Sequence, residues 1–230
     1  MLRRVSRSIG VLYLLSALPA VFSIVYMPAA FVVAGDAAAT ARKITDAELV
    51  YRIGILSGLV SQIVWVFLVV ALYRLLSGVN KTHASLMLAL ALVSAAVGFM
   101  NVLNEIAALT LFRGADFLAV LEKPQRDALA MLFLRLHGQG NVINEIFWGL
   151  WLFPFGVLVM RSGFLPRILG VWLIINGFAY VVLSFAGLLL PQYQDVAFRS
   201  AFPLLLGELA IMLWLVIKGA KVQPLPAPAS

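Results

Sequence analysis

The sequence predicts an all-α, polytopic membrane bundle with six transmembrane helices. Hydrophobic residues make up 63% of the chain and charged residues only 12%, which leaves too little polar surface to cover a soluble globule. The apolar residues fall into six blocks of about twenty residues or more, the length that an α-helix needs to cross a hydrocarbon core of about 30 Å. None of these blocks shows the ten-residue alternation that is typical of a membrane β-barrel.

Net charge and cysteine content narrow the functional classes. The chain has 17 Lys and Arg against 10 Asp and Glu, a formal net charge of +7. The bases are scattered near the predicted helix ends, and no basic block is long enough to indicate a nucleic-acid partner. The chain has no cysteine, which excludes disulfides, thiolate metal sites and cysteine nucleophiles. The lipid bilayer is the partner that the composition indicates.

We predict a single transmembrane domain over residues 1–221 and a disordered tail over residues 222–230, which is rich in Pro and Ala. The six helices are expected at about 9–33, 49–76, 84–112, 128–160, 166–190 and 202–217. The connections include a polar loop over 35–48 and a loop or short interfacial helix over 113–127. We expect kinks at Pro19 and Pro28, because proline removes a backbone donor and clashes with the preceding turn. The fourth helix is long enough to be tilted, interfacial at its start or bent, and Gly138, Gly140 and Pro154 are the candidates for a bend.

The first apolar run resembles a signal peptide in layout, because three arginines precede it. The run extends from Ile9 to about Val33, however, whereas the apolar region of a signal peptide is about 7–15 residues long. We therefore expect a retained first transmembrane helix.

The distribution of basic residues predicts the orientation. With six crossings, both termini lie on one side of the membrane. That side carries nine bases in short segments and no acid: Arg3, Arg4, Arg7, Arg74, Lys81, Arg161, Arg167, Lys218 and Lys221. The other side carries the remaining eight bases in longer loops that also hold acids. The positive-inside rule therefore predicts an inner (plasma) membrane protein with both termini in the cytoplasm.

Two apolar helices carry nearly the same polar segment. Residues 101–106 read Asn-Val-Leu-Asn-Glu-Ile, and residues 141–146 read Asn-Val-Ile-Asn-Glu-Ile. In each segment the polar side chains share one helical face, and in the second helix His137 extends that face. An ionisable side chain exposed to lipid costs about 3 kcal/mol on insertion scales, so the two faces are expected to turn inward and contact each other.

Depth estimates place several ionisable groups at a similar level. With a rise of about 1.5 Å per residue, Glu105, His137 and Glu208 fall about 10, 13 and 9 Å below the outer surface, and Glu145 about 25 Å. Carboxyl groups that meet in a low dielectric cannot all stay charged, so we expect at least one to be protonated at neutral pH. His137 is a candidate to accept a proton from such a cluster.

These observations predict a buried polar pocket that binds or passes a small ligand or protons. The candidate ligand- or proton-binding residues are Glu105, His137, Glu145, Glu208, Asn101, Asn104, Asn141 and Asn144. The sequence indicates no particular cofactor and predicts no oligomeric state.

Three alternatives stay open. A metal site at Glu105, His137 and Glu208 is the weakest of them, because bundle metal sites use Glu-x-x-His pairs and more carboxylates than this chain offers. A membrane enzyme that acts on a lipid-like substrate at the same residues is less favoured than a non-enzymatic role. An accessory or structural subunit would use the same polar network only to select which helices pack together.

Two further motifs carry a family resemblance. Residues 136–140, Leu-His-Gly-Gln-Gly, and the basic turn over 161–170, Arg-Ser-Gly-Phe-Leu-Pro-Arg-Ile-Leu-Gly, resemble a bacterial family of six-helix membrane proteins catalogued only as a domain of unknown function. The resemblance extends from the Arg-rich start through the sixth helix. It implies a six-helix membrane fold and no particular activity.

Overall fold

The computed structural model describes residues 2–221, so the predicted tail over 222–230 lies outside the described residues. Within the described range the chain contains α-helices, one π-helical segment and short 3₁₀ turns, and no β-strand. The α-helices are α1 (Leu2–Val21), α2 (Met27–Phe31), α3 (Ala37–Asp46), α4 (Glu48–Leu76), α5 (Lys81–Arg113), α6 (Lys123–Leu150), α7 (Leu152–Arg161), α8 (Arg167–Leu189) and α9 (Gln194–Ile217).

Six helical stretches of the described chain are long and apolar enough to cross a membrane. They are Leu2–Phe31, Glu48–Leu76, Lys81–Arg113, Lys123–Arg161, Arg167–Leu189 and Pro191–Ile217. The first combines α1 with α2, and the fourth combines α6 with α7. The prediction of an all-α membrane bundle with six transmembrane helices is confirmed.

Proline explains both interruptions within these stretches. Between α1 and α2 lies a π-helical segment, Phe22–Tyr26, directly before Pro28. Pro28 cannot donate to the carbonyl four residues earlier, at Ile24, and the wider π-helical turn accommodates its ring there. In the fourth stretch, α6 ends at Leu150, which is the residue four positions before Pro154. α1, by contrast, stays α-helical through Pro19.

Several helix boundaries differ from the sequence prediction, because hydropathy detects apolar length rather than helix. The first helix begins at Leu2 rather than Ile9, and the fourth begins at Lys123 rather than near 128. Residues 35–48, predicted as a polar loop, contain α3, whose first turn is capped by Asp36: its carboxylate accepts a hydrogen bond of 2.8 Å from the Ala39 N–H. The sixth helix begins at Gln194 rather than near 202. Its first two turns hold Asp195 and Arg199, polar residues that a hydropathy window excludes.

The contacts among the described residues form two compact units. Unit 1 comprises residues 2–14, 66–92 and 145–221, and unit 2 comprises residues 15–65 and 93–144. In unit 2 the core is built from α2 to α6, with the Tyr51 ring packed edge-on against Phe31 at 5.6 Å between centroids. The single domain that the sequence predicts stays a prediction.

In unit 1, α7 and α8 approach each other at glycines. A Cβ atom added at Gly156 would lie 2.6 Å from the Gly170 carbonyl oxygen, and one added at Gly170 would lie 2.5 Å from the Gly156 carbonyl oxygen. Small residues at such a crossing let two membrane helices pack backbone to backbone.

Candidate functional site

The two polar segments meet in unit 2, where α5 and α6 pack against each other. The Asn101 side-chain amide donates to the Asn141 side-chain oxygen at 3.0 Å and to the His137 carbonyl oxygen at 2.9 Å. Its own side-chain oxygen accepts from the Asn104 amide at 3.1 Å. The buried Asn101 amide group therefore has a partner for both hydrogens and for its oxygen, as a polar group inside a membrane protein requires.

This network assigns a tautomer to His137. The ring Nδ1 lies 3.2 Å from the Asn101 carbonyl oxygen, which can only accept, so Nδ1 carries a hydrogen. The ring Nε2 lies 3.3 Å from the Asn141 amide nitrogen, which donates, so Nε2 is unprotonated. The hydrogen bonds thus fit a neutral imidazole that is held at both nitrogens.

Gly140 makes room for this arrangement. A Cβ atom at position 140 would overlap the Asn101 side-chain amide, whereas one at Gly138, two residues earlier, meets nothing within 4 Å. The two glycines of the 136–140 motif therefore differ in role, and only Gly140 lies against the polar network.

Glu105 lies beside the network with an unsatisfied oxygen. The residue is 5% exposed, and its Oε2 lies 3.9 Å from the His137 Nδ1, too far for a hydrogen bond. Among the described residues, Oε2 has no hydrogen-bond partner. Glu105 therefore presents a free acceptor in a buried position.

Tyr51 supplies a second unsatisfied group in unit 2. Its side chain is 3% exposed, its hydroxyl has no hydrogen-bond partner among residues 2–221, and it interacts electrostatically with Glu105. Buried polar atoms almost always have a hydrogen-bond partner, so the Tyr51 hydroxyl and Glu105 Oε2 are two exceptions to that rule in one unit. Sequence reasoning missed Tyr51, because an aromatic residue near a helix start is typical of an interfacial anchor.

Asn144 also belongs to unit 2 but has a different partner. Its amide donates to the Ser94 carbonyl oxygen on α5 at 3.2 Å, and it is 2% exposed. Its side-chain oxygen has no partner within the described chain.

Unit 1 contains an acidic centre around Glu208. Its Oε1 accepts from the Tyr13 hydroxyl at 2.6 Å, and the Tyr180 hydroxyl faces the same carboxyl group. The Glu208 N–H donates to the Asn176 side-chain oxygen at 3.1 Å. The Asn176 amide nitrogen is fully buried and has no partner among the described residues.

Glu145 belongs to the same unit. Tyr180 interacts electrostatically with Glu145 as well as with Glu208, and the Tyr180 ring packs edge-on against Trp148 at 5.8 Å between centroids. The Glu145 Oε2 has no hydrogen-bond partner in residues 2–221. Tyr13 is the member of this centre that sequence reasoning missed, because a lone tyrosine in an apolar run does not reveal a partner 195 residues away.

The predicted site residues therefore fall in both units. Asn101, Asn104, Glu105, His137, Asn141 and Asn144 belong to unit 2, and Glu145 and Glu208 belong to unit 1. One pocket that contains all three glutamates stays a prediction. In the described part of the chain, no group of three or more His, Cys, Asp or Glu side chains is arranged to hold a metal ion, so the metal alternative gains no support.

Comparison with known proteins identifies the family. The family model described as Domain of unknown function (DUF4386) matches residues 8–219. An uncharacterized protein of Archaeoglobus fulgidus is 30% identical over 154 residues, which cover 67% of this chain and 76% of the relative. No solved structure matches. As the resemblance at the basic turn predicted, the chain belongs to the DUF4386 family, a domain of unknown function.

Proposed function

We propose that this membrane protein binds a proton or a small polar ligand at Glu105 and His137 in unit 2. The observation that carries the proposal is the buried Glu105 carboxyl group, whose Oε2 has no hydrogen-bond partner among the described residues and lies 3.9 Å from His137 Nδ1, together with the buried Tyr51 hydroxyl, which also has no such partner and interacts electrostatically with Glu105. An ionisable residue inside a membrane helix is a candidate functional group in its own right. Its insertion into the bilayer costs free energy, so such residues are rare in membrane helices unless they have a function.

The hydrogen-bond network indicates where an exchangeable proton would reside. A proton added at Nε2 of His137 would face the Asn141 amide nitrogen, which is itself a donor. Asn141 cannot turn its oxygen toward the ring without losing the hydrogen bond that Asn101 donates to that oxygen. Glu105 Oε2 has no hydrogen bond with the described residues and is the open position beside His137 for an exchangeable proton.

The three asparagines have a positioning role in this proposal. Asn101, Asn104 and Asn141 fix the ring of His137 and the facing backbone of α5, which keeps Glu105 3.9 Å from the imidazole. A ligand that fits the open groups would donate a hydrogen bond to Glu105 and exchange one with Tyr51.

The acidic centre of unit 1 is the second part of the proposal. Glu208 accepts a hydrogen bond from Tyr13, Tyr180 interacts electrostatically with both Glu208 and Glu145, and no basic side chain among the described residues pairs with either acid, so each acid is a candidate to hold a proton. The distribution of bases supports an inner (plasma) membrane location with cytoplasmic termini.

Infrared difference spectroscopy of the protein in lipid nanodiscs tests the role of Glu105. A pH titration is expected to show the C=O stretch of buried protonated carboxyl groups in the wild type, and Glu105→Gln is expected to remove the component of that band that belongs to Glu105, while Glu145 and Glu208 keep theirs. Tyr51→Phe should shift the Glu105 component without removing it, because a hydroxyl that interacts with Glu105 is lost. The matched control is Glu122→Gln, an exposed acid whose loss should leave the band unchanged.

The same titration separates the proposal from a packing-only network. If the difference spectra of Glu105→Gln and the wild type coincide, Glu105 exchanges no proton and its role is structural. The small-ligand role of Glu105 would then be tested by an experimental map, as non-protein density at Glu105 and the Tyr51 hydroxyl.

A further inference from the structure

A groove on unit 2 lies apart from the polar network. It is formed by the first turns of α4 and the last turns of α5 and has a volume of about 680 Å³. This volume is within the range of about 300–1,000 Å³ that is typical of ligand pockets. Its walls are apolar along Ile55, Leu59, Ile106 and Leu109. A groove of this composition in a membrane helix pair fits an acyl chain.

Two arginines form the polar end of the groove. Arg52 donates through its Nε to Glu48 Oε1 at 2.7 Å, and the Arg113 Nε lies 3.6 Å from Glu48 Oε2. Glu48 thus brings both guanidinium groups to the same end of the groove. Both arginine side chains are about half exposed. A guanidinium group has five N–H donors, more than one carboxylate can accept, and it is suited to bind a phosphate.

An acid lines the same end of the groove. Asp116 is exposed, and its carboxylate makes no hydrogen bond or ion pair with the described residues. The polar end therefore presents positive charge at Arg52 and Arg113 and negative charge at Asp116. Such a site matches a headgroup that carries both a phosphate and an ammonium group.

The neighbouring segment indicates the depth of this polar end. Phe117 and Val120 follow Asp116 in the same connecting segment, and they are 75% and 88% exposed. The segment connects two membrane-spanning helices, at the level where lipid headgroups lie. Exposed apolar side chains at this level contact lipid rather than water.

We propose that this groove binds phosphatidylethanolamine. Its phosphate would contact Arg52 and Arg113, its ammonium group would contact Asp116, and an acyl chain would lie along the apolar walls. An anionic lipid would meet the repulsion of Asp116. Phosphatidylcholine could not donate a hydrogen bond to Asp116, because its ammonium group is fully methylated.

Native mass spectrometry of the purified full-length protein tests this proposal. The protein is loaded with equal amounts of phosphatidylethanolamine, phosphatidylglycerol and phosphatidylcholine. The wild type is expected to retain phosphatidylethanolamine about fivefold over each competitor, the ratio that a partly exposed charged contact supplies. Arg113→Gln is expected to reduce retention of both phosphatidylethanolamine and phosphatidylglycerol. Asp116→Asn is expected to change the preference from phosphatidylethanolamine to phosphatidylglycerol.

Matched controls use exposed charges that do not line the groove. Arg42→Gln and Asp195→Asn should leave the lipid preference unchanged. If Arg113→Gln does not fold, Arg113→Lys replaces it, because lysine keeps the positive charge but lacks the planar guanidinium group. Arg113→Lys should also reduce the retention of phosphatidylethanolamine and phosphatidylglycerol. Equal retention of the three lipids by the wild type, or a preference for phosphatidylglycerol, would overturn the proposal. An Asp116→Asn variant with the same lipid preference as the wild type would also overturn the proposal.

Discussion

Gly170→Ala is expected to destabilise the protein by about 3 kcal/mol, at the upper end of the usual cost of overpacking. The new Cβ atom would lie 2.5 Å from the Gly156 carbonyl oxygen and 2.5 Å from Met160 Cγ. A backbone oxygen cannot turn aside as a flexible side chain does, so α7 and α8 must separate or shift along each other. Thermal unfolding of the detergent-solubilised protein measures the loss as a fall in midpoint of several degrees.

The control for this substitution is Gly78→Ala. Gly78 lies in the turn before α5, also in unit 1, and a Cβ atom there meets nothing within 4 Å. The thermal unfolding midpoint of Gly78→Ala should stay close to that of the wild type. An unchanged midpoint for Gly170→Ala would contradict the close helix crossing.

Gly140→Ala is expected to have the second-largest effect, a loss of about 2 kcal/mol. The added methyl group would overlap the Asn101 side-chain amide, which three hydrogen bonds hold in place. If Asn101 moves, His137 and Asn141 lose buried partners, and each unsatisfied group adds about 1–3 kcal/mol to the cost. Alanine is a better helix former than glycine by about 1 kcal/mol, which offsets part of this loss.

Gly138→Ala is a closely matched comparison. It lies on the same helix and in the same motif, gains the same helix propensity, and meets nothing within 4 Å. The thermal midpoint should therefore fall for Gly140→Ala and hold or rise for Gly138→Ala. A fall of equal size in both variants would show that the cost comes from the helix backbone and not from Asn101.

The architecture was largely predictable because bilayer thickness imposes one length on every crossing. Six apolar blocks therefore predicted six spanning helices. Of the predicted kink and bend positions, Pro28 and Pro154 coincide with interruptions of the helix, whereas α1 is continuous through Pro19 and α6 is continuous through Gly138 and Gly140. α3 and the first turns of α9 were not predictable in this way, since their polar residues carry helix propensity and capping but no apolar length. Asp36 as an N-cap was the feature of the sequence that could have indicated α3.

The candidate site was predictable only in part. The repeated polar segments at 101–106 and 141–146 indicated that α5 and α6 contact each other, because each polar face is costly to expose to lipid. Tyr51 and Tyr13 could not be inferred, since hydropathy and periodicity do not distinguish an aromatic ring that fills space from one whose hydroxyl faces a distant acid. Tyr13 donates a hydrogen bond to Glu208, and Tyr51 interacts electrostatically with Glu105; both acids come from segments that are distant in the sequence.

An experimental map at a resolution that shows ordered solvent around Glu105 tests the proposed binding site. Non-protein density is expected within hydrogen-bonding distance, about 3 Å, of Glu105 Oε2 and of the Tyr51 hydroxyl, from one occupant or from two. Apolar side chains closed over both atoms, with no such density at either, would contradict the proposed site.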